Sequence, residues 1–305
     1  MSVSPQELRA AYERGENLMA LLRSRGGTAE NNERMIELSY DLQAGSYVDI
    51  LANNEEVRVK KVEYAAHIAA VIRETGPCHS LLEAGVGEAT TFKYVLDQMS
   101  PRPAIAHGFD LCWSRIAVAR RFLAEGWPGT QVTLTAARLS GVPYRDSSFD
   151  VVFTSHAIEP NRGKESEILK ELYRVASRYL VLNEPAYELS SEETRARMDE
   201  HSYARDIPGH AERLGMKVIA HRLLIPSRVS RNPTALTLIE KNASAPAAIP
   251  AVACPEYHTP LKQLGGSYYS PESMRAYPII AGIPILRSEH AVVASRLEEF
   301  GGPAS

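Results

Sequence analysis

Three absences frame this sequence. Cysteine is scarce: Cys78, Cys112 and Cys254 are the only three. Thiols so few and so far apart fit a reducing compartment and exclude a disulfide framework. No apolar run approaches the roughly 18 residues that span a bilayer, and the polar N-terminus has no hydrophobic signal core. The expectation is therefore a soluble, cytoplasmic protein that makes no membrane contact. Positive charge is not in excess either, since the net charge is −3. Nucleic-acid enzymes usually carry a basic surface, so this balance argues against RNA or DNA as partner. Arg115, Arg120, Arg121 and Arg138 could still gather into a local basic patch.

What is present is ordinary for a globular chain: 305 residues, 44% apolar and 23% charged. That length supports one large core, or a core with a small appendage. Residues 1–75 read as a helical cap or lid. Leu8, Ala11, Tyr12, Leu18, Leu21 and Leu22 recur at helical spacing. Gly26-Gly27-Thr28 interrupts the pattern, Gly45-Ser46 interrupts it again, and residues 55–75 form a third helix stopped by Gly76-Pro77.

From residue 76 to 241 strands alternate with helices. Strands are expected at 80–84, 104–110, 130–136, 149–154, 179–183, 216–224 and 234–240. Helices are expected at 88–99, 113–125, 164–177 and 206–214. This alternation implies a mostly parallel sheet covered on both faces, finished by an antiparallel edge pair. Residues 242–251 (NASAPAAIPA) read as a linker. Residues 252–305 form a separate small unit with strand pieces near 277–280 and 283–286.

The most informative stretch is Leu81-Leu82-Glu83-Ala84-Gly85-Val86-Gly87-Glu88. An apolar strand ends in an acid, two glycines follow one residue apart, and a helix begins. The next strand ends in Asp110. In an open α/β sheet this is the turn that receives a nucleoside cofactor. The glycines admit the ligand to the backbone, and the acid after the second strand accepts from ribose hydroxyls. A third glycine three residues after Gly87 would favour a dinucleotide, but that position is Thr90. A further block, VPYRDSSFDVVFTSHAIE, covers residues 142–159.

Together, E-x-G-x-G, GFDL and the VPYRDSSFD block resemble the class I S-adenosylmethionine (SAM) methyltransferases. The resemblance implies an α/β fold: a seven-stranded, mostly parallel, Rossmann-like methyltransferase sheet with an N-terminal helical cap and a small C-terminal α+β or β unit. It implies SAM as cofactor and S-adenosylhomocysteine (SAH) as product. Glu83, Gly85 and Gly87 would lie under the methionine portion, and Asp110 with Leu111 at the ribose. The family's usual acid near adenine is replaced here by Ala136-Ala137-Arg138, so Ala137 and Arg138 would serve adenine through backbone groups. Ser155 would complete the cofactor contacts. Tyr40 and Gln43, beside the Gly45 break, would add contacts from a lid.

The acceptor side follows from the ends of strands four and five, where reacting groups sit in this architecture. The first reads TSHAIEPN (154–161) and the second NEPAYE (183–188). Methyl transfer to an alcohol needs a base. His156 titrates near neutrality and is the candidate; Glu159 and Glu184 would orient it or bind substrate. A structural hydrogen bond is the competing role for His156, and helix capping for Glu159. Tyr47, Asn161, Tyr187, His201 and Tyr203 are candidate substrate contacts, although the last three could equally cover a solvated helix.

The C-terminal unit resembles the zinc-ribbon domain of methyltransferase activator subunits at Cys254-Pro255, Pro260-Leu261 and Tyr277-Pro278-Ile279…Gly282-Ile283-Pro284. Its ligands do not match: Tyr257 and Ser270 stand where cysteines would, and His258 is only a spare. A four-cysteine site cannot form, so no metal and no structural zinc are expected. The unit would rely on Ile279, Ile280, Ile283, Ile285 and Leu286, and would dock on the main domain or pair with a second copy as a homodimer. The expected activity is SAM-dependent methyl transfer to O or N of a small or carrier-linked metabolite, such as a sugar, nucleotide-sugar or secondary-metabolite intermediate. The alternatives are an RNA or protein methyltransferase, suggested by the tail, and a non-catalytic methyltransferase-like binding partner.

Overall fold

The structure, a computed structural model, describes residues 3–226, 231–241 and 251–300. Most of the linker assigned to residues 242–251 lies outside the described residues.

The cap consists of α1 (Pro5–Glu13), α2 (Leu18–Gly26), α3 (Glu33–Leu42), α4 (Ser46–Asn53) and α5 (Glu55–Glu74). The single apolar run over residues 8–22 is two helices, because the chain turns through Gly15 at φ +74°. Side chains cap most of these helices: Ser4 with Glu7 on α1, Asn17 on α2, Asn32 on α3 and Asn54 on α5. Each supplies an acceptor to N–H groups that have no partner inside the helix. At α4 the cap comes from elsewhere. The Glu88 carboxylate accepts from Gly45 N (3.0 Å) and Val48 N (2.9 Å), so the residue after the glycine turn holds the start of α4.

The main sheet contains β1 (Ser80–Ala84), β2 (Ile105–Asp110), β3 (Gln131–Ala136), β4 (Phe149–Ser155), β5 (Ala176–Pro185), β6 (Lys217–Leu223) and β7 (Thr234–Glu240). Their order is β3-β2-β1-β4-β5-β7-β6, with β7 antiparallel to both neighbours. The crossovers are α6 (Thr90–Gln98), α7 (Trp113–Phe122), α8 (Glu165–Val175), α9 (Glu192–Glu200) and α10 (Ile207–Arg213). One face of the sheet buries Ile68 and Ile72 of α5, Phe92 and Leu96 of α6, and Ile116 of α7. The other buries Ile168, Leu169 and Leu172 of α8 with Tyr144 and Phe149. Register brings Ala84 beside Phe109, Asp110 beside Ala136 and Ser155 beside Asn183, so the carboxyl ends of β1–β5 finish along one edge.

The C-terminal residues form a second sheet of β8 (Lys262–Leu264), β9 (Ser267–Ser270), β10 (Arg275–Ile280), β11 (Ile283–Pro284) and β12 (Val292–Val293). The unit lies against the β3 edge: Leu286 N donates to Ala136 O (2.8 Å), and Ala253 N donates to Pro143 O (2.8 Å). The five residues expected to form its own core do not act together. Ile283 and Ile285 join the core of the main domain, Ile280 is exposed, and only Leu286 packs with Cys254 and Tyr277 inside the unit. Alternating side chains of a short strand face opposite ways, so one face can serve a neighbouring domain.

Candidate active site

A cavity of about 670 Å³ opens at the carboxyl ends of the strands. That is within the roughly 300–1,000 Å³ of sites that enclose small ligands. Its floor is Glu83, Gly85, Gly87, Asp110, Leu111, Ala137 and Arg138; its far wall is Ser155, His156, Glu159 and Asn161; and the cap supplies Tyr40, Tyr47, Lys61 and Tyr64.

The floor is built by backbone geometry. Gly85 N and Val86 N both donate to Phe109 O, at 2.9 and 2.8 Å, which folds the glycine turn onto the end of β2. Asp110 accepts from Gly87 N (2.9 Å) and Cys112 N (2.9 Å), which fixes its carboxylate beside the turn. Glu83 is buried, and its Oε2 has no hydrogen-bond partner. Burial pushes the Glu83 carboxyl well above the usual range, against the pull of Lys61. Arg138 meets Glu33 (3.5 Å) and Glu289 (3.7 Å).

His156 follows β4 with φ +56°, an uncommon conformation that turns its ring into the cavity. Its Nδ1 is 2.5 Å from Glu159 Oε2, and its Nε2 is 2.8 Å from Thr234 Oγ1. Burial alone would depress this imidazole; the Glu159 carboxylate outweighs that and raises its pKa. Glu159 responds oppositely. Burial raises its carboxyl, but His156, with Tyr203 and Asn232, brings it below the ordinary value. The two groups therefore stabilise each other's charged forms.

Several predicted residues lie elsewhere. Glu184 does not line the cavity. Its carboxylate accepts from the N–H groups of Ala157, Ile158 and Glu159 at 3.0–3.2 Å, so it shapes the His156 loop from behind. Burial raises its pKa to about 7. Gln43 ends α3 outside the lining. Tyr187 also lies outside, bonded to Asp199 on α9 (2.9 Å). His201 stacks on Tyr203, and neither lines the cavity, although Tyr203 bonds Glu159. Asn161 lines the cavity while its Nδ2 donates to Ala157 O (3.1 Å). The four arginines form no shared patch. Arg115 and Arg138 both line the cavity, while Arg120 donates to Ala281 O (2.6 Å).

Sequence reasoning missed other groups in the lining, and one, Arg287, behind it. Arg115 lies between the rings of Tyr40 and Tyr47, 5.0 and 5.1 Å from their centroids, and fastens both cap helices to α7. Lys61 donates to Thr91 Oγ1 (2.6 Å), and the Tyr64 hydroxyl is 3.1 Å from Ser155 Oγ. Arg287, from the C-terminal unit, is 5% exposed. It pairs with both Glu37 oxygens on α3 (2.5 and 3.1 Å) and donates to Leu111 O (3.2 Å). Arg115 comes from α7, Lys61 and Tyr64 from α5 and Arg287 from the C-terminal unit, and only the side-by-side pair Lys60-Lys61, one turn before Tyr64, left any local signal.

Among the described residues, no group of three or more His, Cys, Asp or Glu is placed to hold a metal ion, and no helix is long and apolar enough to cross a membrane.

Residues 81–178 match the methyltransferase domain family. No curated protein matches the chain. The fold is similar to that of magnesium protoporphyrin IX methyltransferase from Synechocystis PCC 6803. With bound SAH the TM-score is 0.54 at 13% identity, over 70% of this chain and 100% of that one. With bound SAM it is 0.51 at 14% identity, over the same shares. A Haloferax volcanii structure, the complex of a methyltransferase activator with a candidate methyltransferase, matches with TM-score 0.50 and 14% identity over 66% of this chain and 98% of that one. Residues 81–178 therefore match a methyltransferase domain, set in a fold similar to that of a structure crystallised with SAM and with SAH.

Proposed function

We propose that this protein transfers a methyl group from SAM to an oxygen or nitrogen of a small or carrier-linked metabolite in the cytoplasm. A sugar, nucleotide-sugar or secondary-metabolite intermediate would be the acceptor. One observation carries the reading: the glycine turn, Asp110 and the His156–Glu159 pair line a single cavity.

The residues fit the cofactor. The unpartnered Oε2 of Glu83 offers an acceptor for the ammonium of its amino-acid tail. Asp110 keeps lone pairs for the ribose hydroxyls beyond the two it commits to backbone N–H groups. Lys61, beside Thr91, supplies a cation for the carboxylate. Ala137 and Arg138 close the adenine end, and Tyr40 with Tyr47 cover the whole. When bound, the cofactor presents an electrophilic methyl group on a sulfonium. The protein's part is to hold the acceptor close to it, exclude water and remove a proton. The cap over the cavity favours a small acceptor over a folded RNA.

The test uses SAM with a deuterated methyl group. The protein is incubated separately with small-molecule, RNA and protein fractions of a cell extract, and the label is traced by mass spectrometry. Label in a small molecule is expected. Label in RNA or protein alone would overturn the acceptor class.

A further inference from the structure

The cavity wall holds a continuous chain of hydrogen-bonding side chains that the cofactor contacts use only at its Ser155 and Lys61 end. Glu159 Oε2 meets His156 Nδ1 (2.5 Å), and His156 Nε2 meets Thr234 Oγ1 (2.8 Å). Thr234 bonds the Tyr64 hydroxyl, which is 3.1 Å from Ser155 Oγ. Ser155 Oγ is 3.3 Å from Thr91 Oγ1, where Lys61 donates (2.6 Å). All seven residues line the cavity. They come from α5, α6, β7 and the end of β4 with its loop, and meet only in the fold.

We propose that the acceptor group is a hydroxyl, an alcohol or phenol on an otherwise apolar molecule and so a secondary-metabolite intermediate rather than a sugar, held by Tyr64 and relieved of its proton through Thr234 to His156. This rests on the methyltransferase reading above. With Nδ1–H donating to Glu159, His156 Nε2 is an acceptor for the Thr234 hydroxyl. The acceptor proton passes to Thr234 Oγ1 while the Thr234 proton passes to Nε2. The acceptor oxygen uses the pair thus freed to form the new bond to carbon, and sulfur keeps the electron pair of the bond that breaks. His156 then returns its proton to solvent.

Three observations favour a hydroxyl. An amine would enter as an ammonium ion beside the cofactor's sulfonium, and like charges repel. A carboxylate needs no base, and would leave the Thr234–His156 contact without a task. The surrounding wall is apolar at Ile50, Leu51, Val57, Leu223 and Ile225, which suits a hydrocarbon or aromatic body.

The relay works only while Nε2 is unprotonated. The charged and titratable groups facing His156 are Glu159 on its own loop, Glu184 on β5, and Lys61 and Tyr64 on α5; Thr234 and Asn232 are the polar neighbours on the β7 side. Burial and Lys61 lower the imidazole, and the two glutamates more than offset them, so its pKa lies above the ordinary 6.5. Turnover should therefore rise with pH through a value above neutrality's lower edge and level off once His156 is neutral.

The decisive readout needs no known acceptor. The full chain, labelled with ¹⁵N-histidine and saturated with SAH, is titrated by NMR, with His156 assigned by its loss in His156→Gln. The neutral ring should carry its proton on Nδ1, and Thr234→Val should move the Nε2 shift while leaving that tautomer unchanged. A proton on Nε2 in the neutral ring overturns the relay. Turnover is then compared on paired phenols, alcohols, amines and carboxylates of matched skeleton, using labelled SAM. O-Methylation of the hydroxyl members is expected, falling about 100-fold in Tyr64→Phe with SAH affinity kept within about threefold. Preference for the amine or carboxylate member overturns the hydroxyl assignment. If no member reacts, the tautomer alone decides. Failure of SAH to bind the wild-type protein would instead sink the methyltransferase reading itself.

Discussion

Alanine at Gly85 and alanine at Gly87 should have unequal effects, although the glycines share one turn. Both residues are left-handed, with φ +74° and +55°. Each alanine therefore carries a backbone cost of about 1–2 kcal/mol. What the new methyl group meets differs. At residue 85 it would lie 2.3 Å from Ala157 Cβ and 3.3 Å from Ala157 Cα. Carbon atoms rest about 3.5–4.0 Å apart, so the loop would have to retreat by about 1 Å. It cannot retreat freely, because Glu184 grips the N–H groups of Ala157, Ile158 and Glu159. Overpacking of this kind costs about 1–3 kcal/mol, giving about 2–5 kcal/mol for Gly85→Ala. At residue 87 the methyl would meet the Arg115 guanidinium, with Nη2 at 2.5 Å. That group ends a side chain and can shift without moving backbone, but it gives up part of its hold on the Tyr40 and Tyr47 rings, so Gly87→Ala should lose the backbone cost plus about 0.5–1 kcal/mol, about 1.5–3 kcal/mol and less than Gly85→Ala. Urea unfolding of both variants measures the difference. Equal losses, or a larger loss at Gly87, would refute the steric reasoning.

Asp110→Ala should weaken SAH binding by about 1–3 kcal/mol, or about 5- to 150-fold, the scale for losing a charged acceptor; an unchanged Kd would contradict its place at the ribose. The His156–Glu159 pair should give stability a pH window. His156 has a raised pKa, so its contribution is complete below about 6.5 and fades as pH rises through the raised value. Glu159 has a lowered one, so its contribution is complete above about 4.5 and fades as pH falls through the lowered value. Glu159→Gln should flatten the thermal-stability profile across this window, and an unaltered profile would count against the pairing. Arg287→Met should free α3 and the Leu111 carbonyl, since it removes the contacts to Glu37 and Leu111. Faster hydrogen exchange over residues 33–42 and about tenfold weaker SAH binding are expected, on the scale of one lost charged hydrogen bond; unchanged exchange would deny the brace.

The sheet was legible because strand and helix periodicities differ and because strands of a covered parallel sheet are apolar throughout. The acids at strand ends were legible as acids, not as roles. Asp110 reaches the cavity; Glu184 sits three strands along the sheet at a similar terminus and spends its oxygens on the loop after β4. Nothing in NEPAYE distinguishes the two, since the difference is which backbone N–H groups lie within reach. Helix α9 went unread because EETRARMDE buries only Met198 and shows no apolar stripe. That helix draws the Tyr187 hydroxyl away from the cavity. Arg115, Tyr64 and Thr234 were hidden for a related reason: each looks ordinary in its own segment and gains a partner only when α3, α5, α7 and β7 meet. The C-terminal isoleucines read as one core because sequence shows hydrophobicity but not the neighbour that receives it.

A calorimetric titration of the wild-type protein with SAH asks the central question directly. One saturable site, with no competition from a nicotinamide dinucleotide, is the expected result. No saturable heat, or displacement of SAH by the dinucleotide, would contradict the assignment of the cavity.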